Sequence, residues 1–180
     1  MDDPQLTEDA LASLTPARFH LGALTLTRRL PVAQDEAWQH LTQPELLARW
    51  SPVVPDRALD SAGPATSREN PGDEAVDVSV GEARGPWFLE HAWGSQRLTW
   101  QLAPSGDGTQ VNLVHELSDP EQVAGMAAGW HLCLSVLEAR LGGRDVQRCV
   151  GEDALAHGWA TLRDRYAQLF AGDEATAGEA

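Results

Sequence analysis

Apolar positions between residues 123 and 141 recur three and four apart. Val123, Met126, Ala127, Trp130, Leu134, Leu137 and Leu141 fall on one face of a period of about 3.6 residues, which predicts a helix packed against a core. After a break at the Leu-Gly-Gly-Arg-Asp stretch 141–145, the stripe resumes with Leu155, Trp159, Leu162, Tyr166 and Phe170, so helical structure is expected from about Pro120 to Phe170. Upstream the period changes to two. Leu24, Leu26, Arg28 and Leu30 alternate with Thr25, Thr27 and Arg29, the pattern of a half-buried strand, and Pro31 ends it. Residues 31–50 predict two short helices: Trp38 and Leu41 share a face of the first, Pro44 opens the second, and Leu46, Leu47 and Trp50 form its apolar side. The Pro-, Ser- and Gly-rich stretch 51–75 predicts a loop with at most one short strand near 53–59. Four strand segments follow, at 75–80, 85–93, 96–102 and 109–117, with turn signals at 81–85, 94–95 and 104–108. These describe an antiparallel meander.

One strand, two short helices, several antiparallel strands and a long terminal helix make an α+β order. The sheet then has a single large partner for its apolar face, so the terminal helix is expected in the sheet's concave side, a helix-grip arrangement that tends to leave a cavity. Trp38, Trp50, Trp93, Trp100 and Trp130, five of the seven tryptophans, fall on the predicted inner faces. A single domain is expected over residues 16–170. The small, acidic ends 1–15 and 171–180 are expected to be flexible, although residues 6–14 could form a short helix.

Charge removes one class of function. Lys and Arg number 13 against 27 Asp and Glu, a net charge of −14, and no basic cluster is longer than Arg28-Arg29. Such a surface repels a phosphate backbone, so nucleic acid is not an expected partner. Cys133 and Cys149 match no zinc or CxxC spacing, as expected of a chain made in a reducing compartment. The acidic N-terminus does not read as a signal peptide, and nowhere do about 18 apolar residues run together, so a cytoplasmic protein with no membrane insertion is expected.

Three stretches of the chain resemble a known family. They are TRRLPVAQDEAWQHLTQPELLARW, then WGSQRLTWQLAPSGDGTQVNLVHEL, then AAGWHLCLSVLEARL, followed at a distance by Trp159 and Tyr166. In this order and spacing they are similar to the START-like superfamily and, within it, to the homologues of the activator of heat-shock-protein ATPase. The resemblance covers roughly residues 22–170, without a clear match at 51–75. It implies a helix-grip fold around an apolar cavity. The superfamily includes lipid and hormone carriers, aromatic polyketide cyclases and co-chaperone domains, so the fold alone selects no chemistry. In the eukaryotic members, chaperone stimulation belongs to a longer protein with an additional domain, for which a chain of this length is expected to have no room.

Candidate site residues follow from strand and helix phase. His91 shares a face with Trp87, Leu89 and Trp93; His115 shares one with Val111, Leu113 and Leu117. Each histidine either orients a ligand's polar group at a cavity wall or is a core residue bonded to a backbone carbonyl or an indole, and the second reading is favoured. His131, turned about 100° from Trp130, is expected at the cavity rim or in solvent. Cys133, near the buried side, is expected to act as a small hydrophobe. Glu90 and Glu116 have outward parity, which leaves no acid–base pair inside, and the histidines lack metal-ligand spacing. No cofactor or metal is expected. The expected function is non-catalytic binding of a small hydrophobic or aromatic molecule by Trp38, Trp50, His91, Trp93, Trp100, His115, Trp130 and Leu134. A polyketide cyclase or dehydratase is the alternative, and a chaperone-associated interaction domain a further one.

Overall fold

The computed structural model describes residues 4–177, with side chains through Gly172. Its main sheet has six antiparallel strands in the order β1-β2-β8-β7-β6-β5. The strands are β1 (Ala17–His20), β2 (Ala23–Leu30), β5 (Val80–Arg84), β6 (Phe88–Trp93), β7 (Gln96–Ser105) and β8 (Gly108–Glu116), and a separate pair is formed by β3 (Thr66–Ser67) and β4 (Val76–Asp77). The helices are α1 (Pro4–Ala12), α2 (Gln34–Thr42), α3 (Pro44–Leu47), α4 (Val123–Leu141), α5 (Asp153–Ala156) and α6 (Trp159–Ala177).

β2 has the predicted phase, with Leu24, Leu26 and Leu30 buried. Preceding it is β1, too short and polar to announce itself, joined by a turn whose central residues Leu21 and Gly22 both have positive φ, 49° and 79°. That is the twist a two-residue hairpin requires. After Leu30 the chain leaves the sheet for α2 and α3, crossing over β8 where Gly108 lies so close that a Cβ would sit 2.3 Å from the Leu30 carbonyl oxygen. Only glycine fits there.

The 51–75 stretch is irregular but ordered around Arg57, which donates to the carbonyls of Ala58, Ser61, Gly63 and Pro64 at 2.7–3.1 Å. The short strand expected near 53–59 reduces to an isolated bridge between Pro55 and Ser67. The segment 81–85, expected as a turn, is mostly strand β5, irregular in register between Val80 and Glu82, where Gly81 lies. The turn falls instead at Gly85-Pro86-Trp87, which leaves Trp87 45% exposed beneath the Arg84 guanidinium and off the inner face on which its phase had placed it.

Helix α4 lies against the concave face of the sheet in the helix-grip arrangement, but it is buried on more than the predicted stripe. Ala128, Leu132, Cys133, Ser135 and Val136 are also buried, because α6 packs over the outer face of α4 and α1 covers part of it. The terminal helical region is therefore two helices in two layers. Leu155, expected in the apolar stripe, is exposed on α5. At the N-terminus the short-helix alternative matches α1, whose Leu6 and Ala10 are buried; α6 continues through Ala177, and residues 178–180 of the expected flexible tail lie outside the described residues. Among the described residues no helix is long and apolar enough to cross a membrane.

Candidate functional site

Antiparallel register brings the inner-face residues of separate strands into rows. His91 of β6 stands opposite Leu98 of β7, which stands opposite His115 of β8; in the next row Leu89, Trp100 and Leu113 are aligned. Above them α4 lowers Trp130. The indole rings of Trp93 and Trp100 each lie 5.5 Å from that of Trp130, and Trp50 meets Trp100 edge-on at 6.1 Å. The aromatic cluster thus fills the middle of the sheet–helix interface.

Hydrogen bonds fix both histidines within it. Trp100 Nε1 donates to His91 Nε2 at 3.2 Å, so His91 carries its proton on Nδ1, which donates to the Ala92 carbonyl at 2.7 Å. Trp130 Nε1 donates to His115 Nδ1 at 3.1 Å, and His115 Nε2 donates to Gln96 Oε1 at 2.7 Å. Each imidazole is a neutral acceptor for one indole. Burial pushes both pKa values down to about 4, for His115 with help from the nearby His91. Glu90 and Glu116 point outward, facing Arg97 at 3.4 and 3.8 Å.

His131 departs from expectation. Neither at a rim nor in solvent, it is fully buried between α4, α6 and the segment before β1. Its Nδ1 accepts from the Thr15 amide at 3.3 Å and lies 2.8 Å from the Tyr166 hydroxyl oxygen, whose proton goes to the Thr15 carbonyl at 3.1 Å. Its phase on α4 faces away from the sheet, where α1 and α6 supply a second interior. Close by, the inward-facing Arg28 pairs with Glu138 and donates to Thr15 Oγ1 at 2.7 Å and Ser135 Oγ at 3.1 Å.

The open space lies beside the aromatic cluster, on the flank of α4. An open cavity of about 890 Å³ is lined by Trp93, by Met126, Trp130 and Cys133 of α4, by Trp159 of α6, and by residues of the segment 149–155. Its wall is mainly apolar. Gly125 and Gly129, one helical turn apart on α4, make the room: a Cβ on Gly125 would press on Trp159 at 3.1 Å, whereas one on Gly129 would meet nothing nearer than 4.0 Å. Trp159 is held in place by donating to the Gly125 carbonyl at 3.1 Å.

Of the eight residues singled out from sequence, Trp93 and Trp130 line this cavity. Trp50, Trp100, His115 and Leu134 are packed in the interior, and His91, also buried, lines a separate depression at the β1–β2 and β6–β7 turns. Trp38 stands elsewhere, against Gly85 at the β5–β6 turn. Gly125, Gly129 and Trp159 also line the cavity and were not among the eight. Two glycines four apart inside a helix were the available signal, since each costs about 1 kcal/mol relative to alanine unless room is needed.

The cavity carries little reactive chemistry. Burial pushes the Cys149 thiol up to about 12 and holds Cys133 higher still, so neither is a thiolate at neutral pH. Its ionisable side chains besides these are Glu69, Glu121, Glu152 and Arg163. Among the described residues no group of His, Cys, Asp and Glu could hold a metal ion. A second depression, of about 710 Å³ at the β1–β2 and β6–β7 turns, is lined largely by polar groups including Ser79, Glu90, Gln96 and Arg97.

Comparison with known proteins agrees with this architecture. No curated protein matches the chain. Among solved structures it is similar to protein SSP2350 from Staphylococcus saprophyticus, with 18% identity and a TM-score of 0.61 over 70% of this chain and 96% of that one. CalU16 from Micromonospora echinospora matches with 19% identity and a TM-score of 0.62 over 84% and 97%. DynU16, from the dynemicin biosynthetic locus, matches with 19% identity and a TM-score of 0.60, over 67% of this chain and 47% of that one. At these identities the likeness is one of fold. Residues 31–142, more than half of the chain, match the family described as Activator of Hsp90 ATPase homolog 1-like protein, and the chain belongs to that family.

Proposed function

We propose that the protein binds a small hydrophobic or aromatic molecule without transforming it, in the cavity on the flank of α4. The observation that carries this reading is an apolar space of about 890 Å³ with Trp93, Trp130 and Trp159 in its wall. A space of that size suits a drug-sized ligand, and indoles favour flat partners through stacking. Of the residues named from sequence, Trp93 and Trp130 are assigned to contact. Trp50, Trp100, His91, His115 and Leu134 are assigned to support the wall from behind. Two free thiols, Cys133 and Cys149, suit a reducing, cytoplasmic setting.

A cyclase-type reaction has one support, the fold shared with a protein of the dynemicin biosynthetic locus. Such chemistry needs an acid and a base converging on one substrate position. The neutral, mutually bonded His91–Trp100 and His115–Trp130 pairs are committed to the interior and do not offer them. A chaperone-associated role rests on the family description alone. Titration with a neutral planar alcohol, 1-pyrenemethanol, followed by tryptophan fluorescence tests the binding reading. Saturable quenching at one molecule per chain is expected, and absence of quenching up to the solubility limit would sink it.

A further inference from the structure

The proposed binding reading leaves open what kind of ligand the cavity prefers. Its charged side chains are three carboxylates, Glu69, Glu121 and Glu152, against one guanidinium, Arg163. That guanidinium is already committed. It donates to Asp164 Oδ1 from Nη2 at 2.7 Å and from Nε at 3.0 Å, and it lies over the Trp159 ring at 5.3 Å from the centroid. A cation thus already rests against one of the indoles of the wall, the arrangement that the negative face of an aromatic ring favours. Glu69 lies beside the 149–155 segment, its Oε1 so near Gly151 that a Cβ there would come within 3.0 Å. Arg148, whose Nε donates to the Ser51 carbonyl, influences Glu69 without lining the cavity and offsets part of its charge. Glu121 and Glu152 are exposed at the mouth.

From these observations we infer that the cavity selects flat aromatic molecules bearing a basic amine over those bearing a carboxylate. The ring system occupies the apolar space against Trp93 and Trp130, and the ammonium sits at the mouth between indole faces and the carboxylates of Glu121 and Glu152. An anionic ligand such as a fatty acid or an aromatic acid meets like charge there, and the guanidinium of the lining, Arg163, is shared with Asp164. The inference rests on the binding reading.

Three probes sharing one ring system separate the two. 1-Pyrenemethylamine, 1-pyrenemethanol and 1-pyrenecarboxylate are titrated into the intact protein at pH 7 and low salt, with tryptophan quenching as the readout. The amine is expected to bind about tenfold more tightly than the carboxylate, with the alcohol between, as a few partly screened charge contacts allow. Glu121→Gln/Glu152→Gln, at exposed positions, is expected to reduce that gap to about threefold or less. A remote pair, Glu36→Gln/Glu45→Gln, also removes two negative charges and is expected to leave the gap intact. Equal affinity for amine and carboxylate overturns the selectivity while the alcohol's binding upholds the cavity. An equal fall in the gap for the mouth and remote variants also overturns it, assigning the preference to the protein's overall charge. If the alcohol itself fails to bind, the cavity reading falls and the selectivity with it.

Discussion

Trp130 on α4 donates its indole N–H to Nδ1 of His115 on β8 at 3.1 Å, and this bond joins the gripped helix to the centre of the sheet. The partners are fifteen residues apart in sequence, in different kinds of element. The bond satisfies two buried polar atoms at once, so removing either side chain leaves the other unpaired.

Trp130→Ala is accordingly expected to lower stability by about 3–5 kcal/mol, enough to bring an ordinary domain near unfolding, and His115→Ala by about 1–3 kcal/mol. In urea melts the double variant should lose less than the two single losses combined, because the shared bond is counted twice in the singles. Strict additivity would show that the bond contributes nothing beyond packing.

Acid should weaken the fold through its buried histidines. His91, His115 and His131 have folded pKa values pushed down to about 4 from 6.5, by burial first, with the positive charges of Arg28 and Arg165 also acting on His131. Between these values the unfolded chain binds more protons than the folded one, so stability rises with pH across that window. The contribution is complete above about pH 6.5 and is lost as pH falls toward about 4. Urea midpoints measured from pH 7.5 to 5 should fall steadily, and His131→Gln should flatten the slope. An unchanged slope in that variant would mean that His131 titrates normally.

The cavity can be plugged without disturbing its frame. Gly129 faces the open space with Trp159 Nε1 no nearer than 4.0 Å to an added Cβ. Gly129→Leu is therefore expected to keep or raise stability by up to about 1 kcal/mol, from the helix preference, while 1-pyrenemethanol binding falls by about tenfold or more. Retained binding would place the ligand somewhere else on the protein.

Trp159 offers the complementary test. It is only partly buried and is anchored by its bond to the Gly125 carbonyl. Trp159→Ala should cost about 1–3 kcal/mol, less than Trp130→Ala, and should weaken ligand retention by removing a wall. Equal losses for the two variants in paired urea melts would mean that α4 and α6 behave as one rigid unit, with Trp159 as core and not as wall.

Much of the architecture was legible because its causes are local. The alternation of Leu24, Leu26 and Leu30, the stripe of Val123, Ala127, Trp130, Leu134 and Leu137, and the Gly-containing hairpin turns at 94–95 and 106–107 each act within a few residues, and each reappears in the structure. The outward direction of Glu90 and Glu116 followed from the same two-residue period. Where local signals conflicted, reading by period failed. The stretch 81–85 has turn composition, yet sheet pairing made most of it strand β5, and moving the turn to 85–87 carried Trp87 out of the inner face.

What only the tertiary structure decided is where interior ends and open space begins. A stripe on α4 identifies one buried face, but it cannot say that α1 and α6 will cover another, and so His131 looked like a rim residue while it was destined for a second interior. The tryptophans were visible as large inward side chains. Whether they line a cavity or fill it depends on their meeting one another, since Trp50, Trp100 and Trp130 come from three distant segments and close the central space between them. The volume that remains lies beyond that cluster, over Gly125 and Gly129, because empty space is what is left after all side chains have packed and belongs to no residue's local pattern.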